Sequence, residues 1–179
     1  MSRVLNVLII CSFATTVLGA DAELSAVSSL NVDLEQVVEL GTVSAVDGVT
    51  SAGQPTEAAL EVFADAGYMA VIDLRGTDED RGLDEAAVVE DLGMHYVNLP
   101  ITGRDAINFE NAEKLDDLLA GFDGSALVHC AGANRAGALL ALRDYLNGAT
   151  EEAALEYGRE AGLTKLEDTV RERLAEGAE

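Results

Sequence analysis

The rhythm of apolar and polar positions changes several times along the chain. Met69-Ala-Val-Ile-Asp-Leu74, His95-Tyr-Val-Asn-Leu99 and Ser125-Ala-Leu-Val-His129 are short, nearly continuous apolar runs. Runs of that length and character fit strands buried on both faces. Val43-Ser-Ala-Val46, Asp47-Gly48 and Val49-Thr-Ser51 read as a hairpin about an Asp-Gly turn. Between the strands, helices are expected from Gln54-Pro55-Thr56 to Ala66, from Asp84 to Leu92, from Asn108 to Phe122, from Ala136 to Asn147 and from Thr150 to Ala161. Gly67, Gly93 and Gly148 stop three of them, and Asn108 and Thr150 suit N-caps. Thr164-Lys-Leu-Glu167 has the spacing of a capping box for a last helix.

Strand and helix alternate at these lengths, which implies an α/β fold: a parallel-rich sheet with helices on both faces and right-handed crossovers. Ligands of such sheets bind outside the carboxyl ends of the strands. The loops that matter therefore start at Arg75, Pro100 and Cys130. The domain is expected over residues 40–179, preceded by a polar, weakly patterned lead-in over 23–39.

Residues 1–22 read as an address rather than as fold. Arg3 supplies a positive start, Val4 to Ala20 is mostly apolar and uncharged, and Ala20-Asp21-Ala22 fits a small-x-small cleavage site. The sequence thus predicts export, periplasmic or secreted, with a cut after Ala22 or Ala20 and no membrane attachment afterwards. Cleavage removes Cys11 and leaves Cys130 as the one cysteine, so no internal disulfide can form in the mature chain.

Composition narrows the function classes. The 179 residues are 49% hydrophobic, enough for one domain with a real core. Acids outnumber bases 33 to 11, a net charge of −22 that repels phosphate backbones and argues against nucleic-acid partners. Cleavage after Ala22 removes one base, Arg3, and one acid, Asp21, so that charge is unchanged. The acids are scattered, which fits solubility by self-repulsion or adaptation to high salt. With two cysteines and two histidines, no metal framework is expected, and no cofactor. The pairs Asp116-Asp117 and Glu151-Glu152 lack the spacing of a calcium loop or a glycosidase dyad and read as solvated helix faces.

The informative stretch is Leu127-Val-His-Cys-Ala-Gly-Ala-Asn-Arg-Ala-Gly-Ala138. A buried strand ends, a cysteine follows at once, and five residues later Arg135 stands at the start of a helix. A tight loop of small residues can turn backbone N–H groups inward, and the helix N-terminus adds roughly half a positive charge. Arg135 offers a planar fork matched to oxyanions. The same field favours thiolate over thiol, making Cys130 a nucleophile aimed at phosphorus or sulfur. His129 is read as shaping the loop, and Asp73 with Arg75 as a structural ion pair buttressing it.

The run from His129-Cys130 through Arg135-Ala136-Gly137 resembles the signature loop of cysteine-dependent protein tyrosine and dual-specificity phosphatases. Together with Ser51-Ala-Gly-Gln-Pro55, Val71-Ile-Asp-Leu-Arg75 and Tyr96-Val-Asn-Leu-Pro100, the pattern is similar to the bacterial beta-lactamase-hydrolase-like phosphatase family over roughly residues 40–150. The resemblance implies a dual-specificity-phosphatase-like fold and a phosphocysteine intermediate. It makes Cys130 the nucleophile, with Arg135 and the amides of Ala131, Gly132, Ala133, Asn134, Arg135 and Ala136 on the phosphoryl oxygens. Three departures stand out. Four residues rather than five separate Cys130 from Arg135, the length of a rhodanese loop. Ala136 stands where many phosphatases have Ser or Thr. The usual acidic position falls near Thr102-Gly103, so Asp105 becomes the candidate general acid. Three functions follow: a hydrolase of a phosphorylated small molecule or protein, a sulfurtransferase carrying a persulfide on Cys130 from a sulfur donor, or a non-catalytic oxyanion-binding module.

Overall fold

A computed structural model describes residues 30–41, 49–122 and 126–177. The signal segment, the first arm of the expected hairpin and the turn at 123–125 lie outside the described residues. In chain order the elements are β1 (Leu30–Asn31), α1 (Leu34–Leu40), β2 (Val49–Ala52), α2 (Glu57–Asp65), β3 (Ala70–Asp73), α3 (Glu85–Asp91), β4 (His95–Asn98), α4 (Phe109–Ala120), β5 (Ala126–His129), α5 (Asn134–Leu146), α6 (Glu151–Glu160) and α7 (Glu167–Gly177). Among the described residues the five strands form one sheet in the order β1-β2-β5-β3-β4, and every pairing is parallel. Topology thus puts the strand before Cys130 in the middle of the sheet, covered on both faces.

Alternation along the strands sorts the core. Val49, Ile72 and Val128 point to a layer built by α4, α5, α6 and α7. Ala52, Val71 and Leu127 point to the layer of α2 and α3, anchored by Leu60, Phe63 and Val89. The expected caps form where their chemistry allows: Asn108 accepts from the Asn111 amide at 2.9 Å, and Thr150 from the Ala153 amide at 3.2 Å.

Three expectations change. Residues 30–39 of the lead-in belong to the fold: Leu30 and Asn31 pair with Thr50 and Ser51. Asp33 caps α1 through the Glu35 and Gln36 amides. The apolar pattern there is faint because only Val37 of the helix is buried. β2 is flanked on both sides by parallel strands, β1 and β5, not by an antiparallel hairpin partner. The Thr164–Glu167 capping box does not form. Thr164 donates its hydroxyl to Asn134, and Glu167 turns to Arg159 and Arg171.

Helix α5 carries the site, and its seating depends on two glycines. A Cβ on Gly137 would lie 2.3 Å from the Leu163 amide nitrogen and 2.6 Å from the Gly158 carbonyl oxygen. A Cβ on Gly158 would lie 2.7 Å from Ala141. Backbone therefore meets backbone where α5 crosses α6, with no room for a methyl group. Gly137→Ala is expected to lower the unfolding free energy by about 3 kcal/mol, the upper part of the usual overpacking range. Gly132→Ala, where an added Cβ meets nothing within 4 Å, should cost less than about 1 kcal/mol. Urea midpoints of the two variants check the contrast.

Candidate active site

The period of two along β5 sends His129 and Cys130 to opposite faces. Cys130 joins the α4–α7 layer, 2% exposed, with its amide 3.3 Å from the Ala52 carbonyl. From there the chain turns tightly into α5. Gly132 makes a single antiparallel bridge with Gly53, and a Cβ on Gly53 would approach the Ala131 carbonyl to 3.3 Å. Ala133 sits at φ +60, the one described non-glycine residue in the left-handed region, a conformation that costs an L-residue about 1–2 kcal/mol. The turn after α6 presses on it: a Cβ on Gly162 would lie 2.5 Å from that of Ala133. Small residues are thus required on both sides of this contact, for packing as much as for ligand approach.

Asn134 fastens the loop. Its side-chain oxygen accepts from the Thr164 amide at 2.8 Å, the Thr164 hydroxyl at 3.1 Å and the Leu166 amide at 3.3 Å. Its own amide donates to the Gly132 carbonyl at 2.7 Å. Of the amides expected to line the cradle, that of Asn134 is therefore turned onto the loop itself. Helix α5 has no side-chain cap, and the amides of Arg135 and Ala136 in its first turn have no carbonyl partner within the helix. Ala136 is fully buried and belongs to the same core cluster as Cys130.

Arg135 is held by a residue that sequence reading passed over. Glu79, in the loop after β3, receives Nη1 at 2.6 Å and Nη2 at 2.8 Å, a two-pronged ion pair. Nη1 also points at the carbonyls of Ile101, 3.2 Å, and Leu74, 3.4 Å. This uses up one end of the fork. The Nε–H and the second Nη2 hydrogen form the other edge, and the guanidinium lies within hydrogen-bonding reach of Cys130. Both partners are fixed in their charged forms. Arg135 draws the Glu79 carboxyl down to about 2, helped by the Gly76 amide and Arg75, and Glu79 raises Arg135 in turn.

Behind the cradle the pairing continues. Arg75 donates Nε to Glu79 at 3.2 Å and Nη1 to Gln54 Oε1. Gln54 donates to Glu85 Oε2 at 3.1 Å, and Glu85 Oε1 lies 2.9 Å from His129 Nε2. Asp73, aligned with His129 across the sheet, accepts from Arg81 at 2.6 Å, from the Tyr96 hydroxyl at 2.8 Å and from the Arg75 amide at 2.8 Å. Asp73 and Arg75 therefore share a backbone contact, while each pairs its charge elsewhere. The ligating atoms of Asp73, Glu85 and His129 lie within 4.8 Å of one another, a geometry that suits a cation. A cation already serves both carboxylates: the Arg81 guanidinium, 3.7 Å from Glu85 as well as bonded to Asp73.

A cleft of about 480 Å³ opens above Arg135, walled by Asp78, Glu79, Ile101, Thr102 and Arg104 among others. Asp105 does not line it. Its side chain is fully exposed and its ion-pair partner is Arg173 of α7 at 3.9 Å. Asp78 does line it, and its Oδ1 crowds with Thr102 around Gly76, where a Cβ would meet them at 2.9 and 3.1 Å.

The depressed carboxyl of Glu79 makes the grip on Arg135 pH-dependent in a defined direction. A carboxyl lowered on folding stabilises above its unfolded value of 4.5, and the contribution is lost as pH falls toward about 2. Glu79→Gln should therefore lower the thermal midpoint most at neutral pH. The gap between the two proteins should close through that acid window, as followed by circular dichroism melts in buffers of matched ionic strength.

The sequence over residues 34–173 matches the PTP-NADK family, described as DSP-PTPase phosphatase fused to NAD+ kinase. No curated protein matches the chain. Among solved structures, one from Neisseria meningitidis Z2491, assigned as a phosphatase, has a TM-score of 0.61 at 20% identity, over 70% of this chain and 92% of its own. A DUF442 protein from Shewanella putrefaciens CN-32, likewise assigned as a phosphatase, has a TM-score of 0.56 at 22% identity, over 81% and 96%. TpbA of P. aeruginosa, solved with phosphotyrosine, has a TM-score of 0.53 at 20% identity, over 68% and 75%. These likenesses establish the fold, and the family match covers most of the chain. With a cysteine loop closed by an arginine at the carboxyl end of a parallel sheet, the chain belongs to the cysteine-dependent DSP-PTPase family.

Proposed function

We propose that the protein is an exported phosphoric monoester hydrolase that works through a phosphocysteine intermediate. One observation carries the reading: five residues after Cys130 comes the guanidinium of Arg135, at the head of an α5 without a side-chain cap, pinned by Glu79 through Nη1 and Nη2 and within hydrogen-bonding reach of that cysteine. The Cys130 thiolate attacks phosphorus, an S–P bond forms, and the P–O bond to the leaving group breaks. The leaving oxygen takes a proton from a carboxyl group at the cleft. Water then attacks phosphorus and gives a proton to that same carboxylate, the S–P bond breaks, and inorganic phosphate departs while the thiolate returns. Arg135 and the outward amides of the loop balance charge on the equatorial oxygens throughout.

Two carboxyl groups compete for the proton transfer. Asp105 is the carboxylate nearest in sequence to the Thr102-Gly103 position that the family resemblance implies, and Asp78 lines the cleft. Export rests on the leader pattern of residues 1–22. The bound phosphotyrosine of TpbA supports phosphotyrosine as a first substrate to try. The four-residue loop keeps sulfur transfer as the competing activity, so thiosulfate is assayed beside an aryl phosphate.

Cys130→Ser should abolish aryl phosphate hydrolysis. Arg135→Lys keeps charge but loses the fork and should reduce kcat/KM by about two orders of magnitude, comparable with losing an oxyanion donor. Glu79→Gln frees the far end of the fork and should cost about tenfold or more through misplacement. A wild-type protein that turns over thiosulfate and not the aryl phosphate would reverse the assignment.

The proton donor is found by comparing leaving groups. The true donor, changed to Asn, slows alkyl phosphates far more than aryl phosphates, whose leaving groups need little protonation. Asp78→Asn and Asp105→Asn, assayed on both substrate types across pH, should show this split in one variant only, together with loss of the basic limb of its pH profile.

A further inference from the structure

In a chain with 33 acids and 11 bases, a basic side chain without an acidic partner is unexpected. Every described arginine but one pairs with a carboxylate. The exception is Arg104, exposed on the wall of the cleft above Arg135. It is not loose. Its Nε donates at 2.9 Å to the hydroxyl of Thr169, which is 1% exposed on α7. That bond fixes the stem and leaves the two terminal nitrogens directed elsewhere. Of the two lysines, Lys114 pairs with Glu110, whereas exposed Lys165 has no carboxylate partner and immediately precedes Leu166, another wall of the same cleft. Among the described residues, both basic side chains without an acidic partner therefore stand at the cleft or beside it. Asp78 and Glu79 come from the loop after β3, so the cleft carries negative charge on that loop and positive charge on the loop after β4.

We infer that Arg104 is the recognition point for a second anionic group on the substrate, so that the favoured phosphomonoester carries a carboxylate or further phosphate on its leaving group. The inference rests on the phosphatase reading of the cleft and adds a substrate class to it. An anchored guanidinium with two free nitrogens suits a planar or tetrahedral oxyanion, and its ordering is already provided by Thr169. Such a contact acts on ligand binding, whichever proton donor serves the chemistry.

The test uses Cys130→Ser, which binds without turnover, and titration calorimetry with phenyl phosphate and 3-carboxyphenyl phosphate. The carboxylated ligand should bind about tenfold tighter, the ratio that 1.4 kcal/mol provides. That ratio should fall toward one with Arg104→Gln added, and only partly with Arg104→Lys. A parallel arm compares phosphotyrosine peptides with acidic and with alanine flanks. Preference in the small-molecule pair alone places the second anion inside the cleft, and preference in the peptides as well extends it to a flanking chain. The proposal is overturned if neither pair shows a preference, or if the preference survives Arg104→Gln. Should that variant fail to fold, phenylglyoxal labelling of Cys130→Ser with Arg104 intact replaces it. Mass spectrometry should then find Arg104 protected by the carboxylated ligand and not by phenyl phosphate, and equal labelling overturns the proposal. Turnover of phenyl phosphate by the wild type is measured separately. Its absence removes the phosphatase reading, whereas its presence without a binding preference removes only the role of Arg104.

Discussion

A guanidinium has two edges that can each hold an oxyanion, and in this protein the carboxylate of Glu79 occupies one of them. The other edge is thereby aimed. An unpaired arginine at the head of a helix would sample many rotamers, and ordering it at the moment of binding would cost about 2 kcal/mol of side-chain entropy. The paired Arg135 is ordered beforehand by Glu79 and by the Ile101 and Leu74 carbonyls. Glu79 is in turn ordered by the Gly76 amide and Arg75, and Arg75 by Gln54. The charges alternate, so no member is left buried without a partner of opposite sign.

That relay also reaches the residue before Cys130, on the other face of the sheet. His129 and Cys130 are adjacent in sequence but belong to different layers, because β5 alternates. Glu85 and Asp73 meet His129 on the α2–α3 side, while Arg135 meets Cys130 on the α5 side. The loop after β3 joins the two systems. It carries Glu79 to one and Arg81 to the other within a few residues. A disturbance of that loop therefore acts on the cradle from both faces at once, although none of its residues lies next to Cys130 in sequence.

How much of this was legible in the sequence follows from where each signal is stored. The strands, most helices and the Cys130–Arg135 loop are written in local runs, and the structure places them with boundary shifts such as α5 beginning at Asn134 rather than Ala136. Glu79 is stored nowhere locally. Thr77-Asp-Glu-Asp80 looks like one more acidic stretch in a chain full of them, and only the fold shows that its third residue meets an arginine 56 positions away. Thr164 shows the converse. Its spacing to Glu167 satisfies a local rule, yet the carboxamide of Asn134 lies nearby in the fold and takes the hydroxyl. In the sequence, the small residues of the loop stand as those that let it turn its backbone N–H groups inward. The close contact of Ala133 with Gly162 shows that packing also imposes small residues there.

The balance of charge in the network also bears on how an anion can bind to so acidic a protein. Arg75, Arg81 and Arg135 face Asp73, Glu79 and Glu85, three of each sign, so these side chains present almost no net charge. What remains at the loop itself is directional: the amides of Arg135 and Ala136, which have no carbonyl partner within α5, and one guanidinium edge. Dipoles and hydrogen bonds of this kind act at contact, whereas the −22 of the whole chain acts at range and is screened beyond about 10 Å at 0.1 M salt. Long-range repulsion and short-range grip are thus separable, and salt weakens the first far more than the second. On the proposed function, an anion that fits the loop is held once it arrives, while one that cannot reach contact meets only the repulsive field. An acidic surface and an anion site at the loop are compatible for that reason: the loop discriminates by geometry, and among the described residues uncompensated positive charge enters only at Arg104 on the cleft wall and Lys165 beside it.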